Sequence, residues 1–276
     1  MPLSLTRAGQ RNRAGLLAAA AGLVARDTSG ALAGFHALAD RSVFSTNVSA
    51  DKIATFDEVG RILDSRSIEQ HRAGGDRRAG LRAFRAIQGA YFVRRTRFEA
   101  LWNHGRRFVY GALNAGGMGT EGRYGPFCMV IGDPSAPAPV PAALGVFPAD
   151  SVVRYCSRTG VVNRIGALAD VVAWPDRGAL ATIEREPEAL SQHPRTWPDV
   201  VCTPSRYLEA VLAPGPPLAT VDAVRVRQTY LDRLEDLSVL GIDGALDPGT
   251  ALRELVAFEA MNRWRVDHGV TIEGVG

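Results

Sequence analysis

Phe108-Val109-Tyr110-Gly111-Ala112-Leu113-Asn114, a glycine-rich connection, and Tyr124-Gly125-Pro126-Phe127-Cys128-Met129-Val130-Ile131 decide the fold of this 276-residue chain. Both runs are short and apolar with aromatic and β-branched residues, which predicts two strands, over 107–113 and 124–131. Before them the apolar period is helical. Residues 8–40, rich in alanine and leucine, predict one or two helices. Ile53, Phe56, Val59, Ile62 and Leu63 predict a helix over 50–63, and Leu81, Phe84 and Ile87 one over 78–90, after a break at Gly74-Gly75. A short extended stretch, 42–48, lies among them. After them, strands are expected at 144–147, 151–155, 207–212 and 223–226, and helices at 180–190, 229–240 and 250–268. Residues 166–174 read as helix or strand, and the prolines over 134–141 as a surface loop. The class is α+β, with helices first, a strand-rich middle, and helices last.

Gly117-Met118-Gly119-Thr120-Glu121-Gly122 matches G-x-G-x-x-G literally. A dinucleotide fingerprint needs a helix after the glycines, to meet the pyrophosphate with its N-terminus. Gly125-Pro126 and a buried strand follow instead, so the cluster reads as the loop of a β-hairpin. A glycine loop that touches an anion through its backbone N–H groups stays open.

Composition excludes several chemistries. Lysine and arginine number 32, and Lys52 is the only lysine. It follows no glycine loop, which removes P-loop and protein-kinase sites, and its context is poor for a Schiff base to pyridoxal. Cys128, Cys156 and Cys202 are isolated and odd in number, so neither a zinc knuckle nor a disulfide framework is indicated, and a reducing, cytoplasmic setting is expected. The five histidines have no metal-ligand spacing, and no G-x-S-x-G occurs. The apolar run 16–24, after Arg7, Arg11 and Arg13, reads as a secretory signal or as an ordinary helix. No run reaches the ~20 apolar residues of a membrane span, so no membrane partner is expected.

The net charge of +3 is unevenly spread. Residues 61–107 carry twelve arginines against Asp64, Glu69, Asp76 and Glu99, whereas 108–276 are net acidic. The basic block reads either as a solvated face salt-bridged to the acidic C-terminal half or as an anion site. Tyr91, Phe92 and Phe98 interleave with Arg94, Arg95 and Arg97, a pattern suited to stacking nucleic-acid bases. Asp150 reads as a turn cap, and Glu184 and Glu186 as a solvated helix face. Glu209 stands in an otherwise apolar strand. Alternation puts Tyr207, Glu209 and Val211 on one face and Leu208, Ala210 and Leu212 on the other. A carboxylate there lies at an exposed edge or points into a cleft.

The order of these parts resembles the ADP-ribosyltransferase-like domains over residues 41–230. The resemblance is carried by Phe44-Ser45-Thr46-Asn47, a helix ending Gly60-Arg61-Ile62-Leu63, the two central strands, Tyr207-Leu208-Glu209-Ala210-Val211, and Pro217-Leu218-Ala219-Thr220-Val221-Asp222-Ala223-Val224-Arg225-Val226. It implies a split β-sandwich flanked by an N-terminal helical segment (1–40) and C-terminal helices (231–276), with NAD as substrate in the cleft. Glu209 would match the family glutamate that holds the nicotinamide ribose. Ser45 and Thr46 would match the first-strand position, where many relatives carry histidine or arginine. Tyr110 or Tyr124 would stack on nicotinamide. Arg94, Arg95 and Arg97, or Arg106 and Arg107, would contact phosphate or nucleic acid. The implied activity is ADP-ribosyl transfer to a nucleic acid or protein, as a toxin or defence factor with a neutralising partner protein. The alternative is a non-catalytic binding module that uses residues 61–107 on nucleic acid or protein.

Overall fold

A computed structural model describes residues 2–135, 141–242 and 247–276, so most of the proline-rich loop expected over 134–141 lies outside the described residues. Helices α1 (Leu5–Arg26) and α2 (Ala31–Asp40) lead into strand β1 (Val43–Val48). Four helices follow: α3 (Ala50–Val59), α4 (Ser65–Arg72), α5 (Arg77–Gln88) and α6 (Tyr91–Glu99). Strands β2 (Val109–Asn114), β3 (Phe127–Ile131) and β4 (Ala143–Phe147) come next, then helices α7 (Ser151–Tyr155), α8 (Arg164–Asp170), α9 (Arg177–Ser191) and α10 (Trp197–Val201). Strands β5 (Glu209–Ala213) and β6 (Ala223–Arg227), helices α11 (Gln228–Leu240) and α12 (Pro248–His268), and strand β7 (Thr271–Val275) complete the chain.

Local chemistry sets these boundaries. Helix α3 stops at Val59 rather than running to Leu63, because Gly60 takes a left-handed conformation and closes the helix. Helix α4, unexpected from sequence, begins where the Asp64 carboxylate accepts the N–H groups of Arg66 and Ser67. Residues 151–155 are a helix, not the expected strand. Asp150 accepts the Val153 N–H at 2.9 Å, and that cap overrides the strand preference of Val152 and Val153. The open choice over 166–174 resolves as helix α8 and a 3₁₀ turn.

The seven strands among the described residues join one sheet in the order β4-β5-β2-β1-β3-β6-β7. Every pairing is antiparallel except β6 with β7. Strands β2 and β3 do not pair with each other, because β1 lies between them. The glycine cluster is therefore a crossover, and the hairpin expectation is corrected. The register explains a second feature. β1 pairs with β2 only as far as Ser45↔Ala112, while β1 continues along β3 to Val48↔Phe127 and β2 along β5 from Val109↔Leu212. The sheet thus opens between residues 46–48 and 109–111.

Alternation on β5 feeds two apolar layers. Ala210 and Leu212 join a core with Phe44, Phe56, Met129, Trp174 and Trp264, and Val211 and Ala213 join one with Leu5, Phe98, Trp102 and Phe147. Each fully buried phenylalanine contributes roughly 2–3 kcal/mol by leaving water. These layers fix both lips of the opening. No described helix is long and apolar enough to cross a membrane.

Candidate functional site

A cleft of ≈ 380 Å³ fills the opening in the sheet, within the ~300–1,000 Å³ range of small-molecule sites. Strand β1 contributes Thr46, β2 contributes Tyr110, and β5 contributes Glu209. The Thr46 hydroxyl donates to the Tyr110 carbonyl at 2.9 Å, a side-chain link where the backbone ladder has ended.

Glu209 begins β5 between Ala112 and Phe147, in the body of the sheet, and is 3% exposed. The exposed-edge reading is therefore corrected. Its Oε2 accepts the Ser151 N–H at 3.0 Å and the Ser151 hydroxyl at still shorter range, and no bond falls on Oε1 among the described residues. Burial pushes the Glu209 carboxyl up to about 8, with the Asp150 charge acting the same way against the Ser151 bonds and Arg95. At neutral pH the ligand-free cleft holds this group mainly as a neutral acid.

Tyr91, Tyr110, Tyr124 and Tyr207 share the lining. The Tyr124 and Tyr207 hydroxyls meet at 3.1 Å, and the Arg123 guanidinium lies 5.2 Å and 5.6 Å from their ring centres. Arg123 donates to Asp150 at 3.0 Å, and Tyr91 donates to the other Asp150 oxygen at 3.3 Å. Burial raises all four phenol pKa values, so the rings are neutral walls. Arg95 lies 4.7 Å from the Tyr110 ring centre and is neutralised by buried Glu99, which also binds Arg66.

The glycine crossover carries Arg123 and Tyr124 to this wall, and two asparagines hold it. Asn47 donates to the carbonyls of Met118 and Gly125 and accepts the Thr120 N–H at 2.7 Å. Asn114 accepts the N–H groups of Gly116 and Gly117, both at 2.9 Å. Those amides are consumed, which leaves them nothing to offer an anion and corrects the phosphate-loop option for them. Gly119 is required here: its φ is +62°, and a Cβ would stand 2.6 Å from Asn47 Oδ1.

The structure brings Thr46, Tyr110, Tyr124, Arg95 and Glu209 to one cleft. Ser45 is not with them. It shares the sheet face of Ala112 and Glu209 but lies outside the lining, packed beneath the glycine crossover, where it is 1% exposed and accepts from Asn114. Arg94 donates to the Cys156 and Val153 carbonyls and ties α6 to α7. Arg97 is exposed beside Gly160, and Arg106 and Arg107 are exposed in a 3₁₀ turn outside the lining. Arg123, Ser151, Tyr207 and Lys52 were missed as site residues, Asp150 was read only as a turn cap, and Tyr91 only as a base-stacking residue of the basic block. Only Tyr207 carried a usable signal, on the same face as Glu209. Among the described residues no arginine of 61–107 ion-pairs with an acid of 108–276, so the expected salt bridges are corrected, while the arginines of α5 do form a solvated face.

A titratable carboxyl set among neutral aromatic faces can hold a flat ring, exchange a proton with a ligand, or, when ionised, face a positive charge. The thiols do not compete as nucleophiles, since burial pushes Cys128 up to about 11 and Cys202 up to about 12. Comparison with known proteins finds no family model that matches this chain and no matching curated protein.

Proposed function

We propose that this chain is an ADP-ribosyltransferase-like enzyme that takes NAD as substrate. One observation carries the reading: Thr46, Tyr110 and Glu209 come from three strands far apart in sequence and line one cleft. They match, residue by residue, the first-strand position, the stacking tyrosine and the glutamate that the resemblance implies. The gap in pairing between β1 and β2 supports the split-sandwich form of the fold, with the cleft at the split.

In this reading the tyrosines hold the nicotinamide ring. NAD supplies a glycosidic bond whose leaving group is already cationic. Glu209 stabilises the charge that develops on the ribose carbon as that bond breaks, and Ser151 fixes the carboxylate through Oε2. Thr46 contributes a hydroxyl where many relatives carry a histidine or arginine. The test is purified protein with NAD, scored for nicotinamide release. Glu209→Gln is expected to lower turnover roughly 100-fold, and the absence of NAD binding would sink the reading.

The acceptor we propose is a nucleic acid. Arg77, Arg78, Arg82 and Arg85 of α5 are exposed and make no ion pair among the described residues, and α5 ends at Gln88 on the rim of the cleft. Unpaired arginines in a row favour a polyanion. The same surface supports the second reading, a non-catalytic nucleic-acid-binding module, which predicts binding that is indifferent to Glu209 and to NAD.

A further inference from the structure

Lys52 is the one lysine in a chain whose other 31 cationic side chains are arginine. It stands in the first turn of α3 and lines the cleft with Phe56, Asp64, Ser65 and Ile68. The other charges there are matched. Arg95 is paired with Glu99 and Arg123 with Asp150, while Asp64 accepts two backbone N–H groups and the Ser67 hydroxyl. The acids whose charges act on Lys52 are Asp51 and Glu69, and both are engaged by Arg72. Among the described residues the Lys52 ammonium has neither a hydrogen-bond acceptor nor an ion-pair partner. Burial pulls its pKa down, and the charges of Arg72 and Arg95 act the same way against Asp51 and Glu69. A half-buried cation that lines a cleft and has no partner in the fold is available to an anionic ligand, which would supply its counter-charge.

We propose that Lys52 is the anion-binding residue of the cleft and takes the phosphates of a diphosphate-bearing nucleotide. The site then has a polarity: phosphates against α3, aromatic ring among the tyrosines, and the bond between sugar and ring near Glu209. The assignment of the ring rests on the NAD reading, whereas the phosphate subsite does not. An ammonium is a compact point charge with three rotatable donors, which can turn to several phosphate oxygens where the planar guanidinium fork is more rigid.

Because the chain has a single lysine, an amine-acylating reagent modifies one ε-amine, read on the Lys52 peptide by mass spectrometry. The intact protein is acylated with N-hydroxysuccinimidyl acetate in the presence of ADP, inorganic pyrophosphate, adenosine or NAD. ADP and pyrophosphate are expected to slow acylation of Lys52, and adenosine is not. The proposal is overturned if ADP and pyrophosphate give no protection, if adenosine protects as well as ADP, or if the reagent cannot reach Lys52 in the free protein. Protection by ADP without protection by NAD keeps the phosphate subsite and removes the NAD reading. Lys52→Gln should weaken ADP binding by about tenfold, the loss of one charge-assisted bond, with an unchanged melting temperature. A Lys52→Gln protein that melts normally and binds ADP as before also overturns the proposal.

Discussion

Glu209 is held as an acid by its surroundings, and this has consequences at two levels. In the NAD reading its ionised form is the useful one, so kcat/KM for NAD should climb with a midpoint near pH 8 and level off above it. The pyridinium charge of bound NAD favours ionisation, so kcat should level off at lower pH than kcat/KM. A flat profile for both between pH 6 and 9 would remove Glu209 from the rate-determining chemistry. For stability, the sign follows from a folded pKa raised above the unfolded value. The folded state keeps the proton more tightly, so stability is lost as pH rises from the ordinary carboxyl range through about 8. Glu209→Gln removes that loss. Its melting temperature should exceed that of the wild type by roughly 5 °C at pH 9 and differ little at pH 5, checked by calorimetry. At this scale the sequence was half legible. The alternation around Glu209 placed the carboxyl on the correct face. It could not say that β4 and β2 would flank it, and the neighbouring strands are what shut out water and raise its pKa. Ser45 and Thr46 could not be separated either, because only the end of the β1–β2 ladder at Ser45↔Ala112 leaves Thr46 at the opening and Ser45 packed inside the sheet.

The glycine crossover between β2 and β3 is the element that positions Arg123 and Tyr124. Its shape comes from Asn47 and Asn114 together with its own glycines. Asn47→Ala leaves the Thr120 N–H and the Met118 and Gly125 carbonyls without their partner. It should cost about 2–3 kcal/mol in urea denaturation and weaken NAD binding more than it changes the rest of the fold. Gly119→Ala meets both a left-handed φ and a contact with Asn47, and a loss of roughly 1–3 kcal/mol is expected by the same measurement. The crossover was misread as a hairpin loop for a physical reason. Two apolar runs joined by glycines state that two strands exist, but not which strand lies between them. Helix α7 failed differently: Asp150 was recognised as a cap, yet Val152 and Val153 were weighed as strand formers, and in five residues one cap outweighs propensity.

Across the whole molecule, charge is organised around the cleft. The +8 block over 61–107 divides on folding into arginines that serve the interior, Arg66 and Arg95 on Glu99, and arginines that face solvent on α5. Replacing Arg78, Arg82 and Arg85 by glutamine should weaken binding of a single-stranded oligonucleotide and lower the log–log salt slope by about 2, at ~0.7 per lost phosphate contact. Melting temperature should not change, since these side chains touch no acid among the described residues. An unchanged slope would detach α5 from nucleic acid and leave the cleft reading untouched. The sequence by itself determined the class of the fold, the main helices, the short apolar strands and the excluded chemistries, because periodicity, single glycines and the near absence of lysine are local properties. Tertiary structure alone decided the rest. It set β1 between β2 and β3, ended the β1–β2 ladder at Ser45↔Ala112, and gathered Lys52, Thr46, Tyr91, Tyr110, Arg123 and Glu209 from six elements onto one cleft. Strand order and register are fixed by long-range burial of both sheet faces, and no window of sequence contains both partners of such a contact.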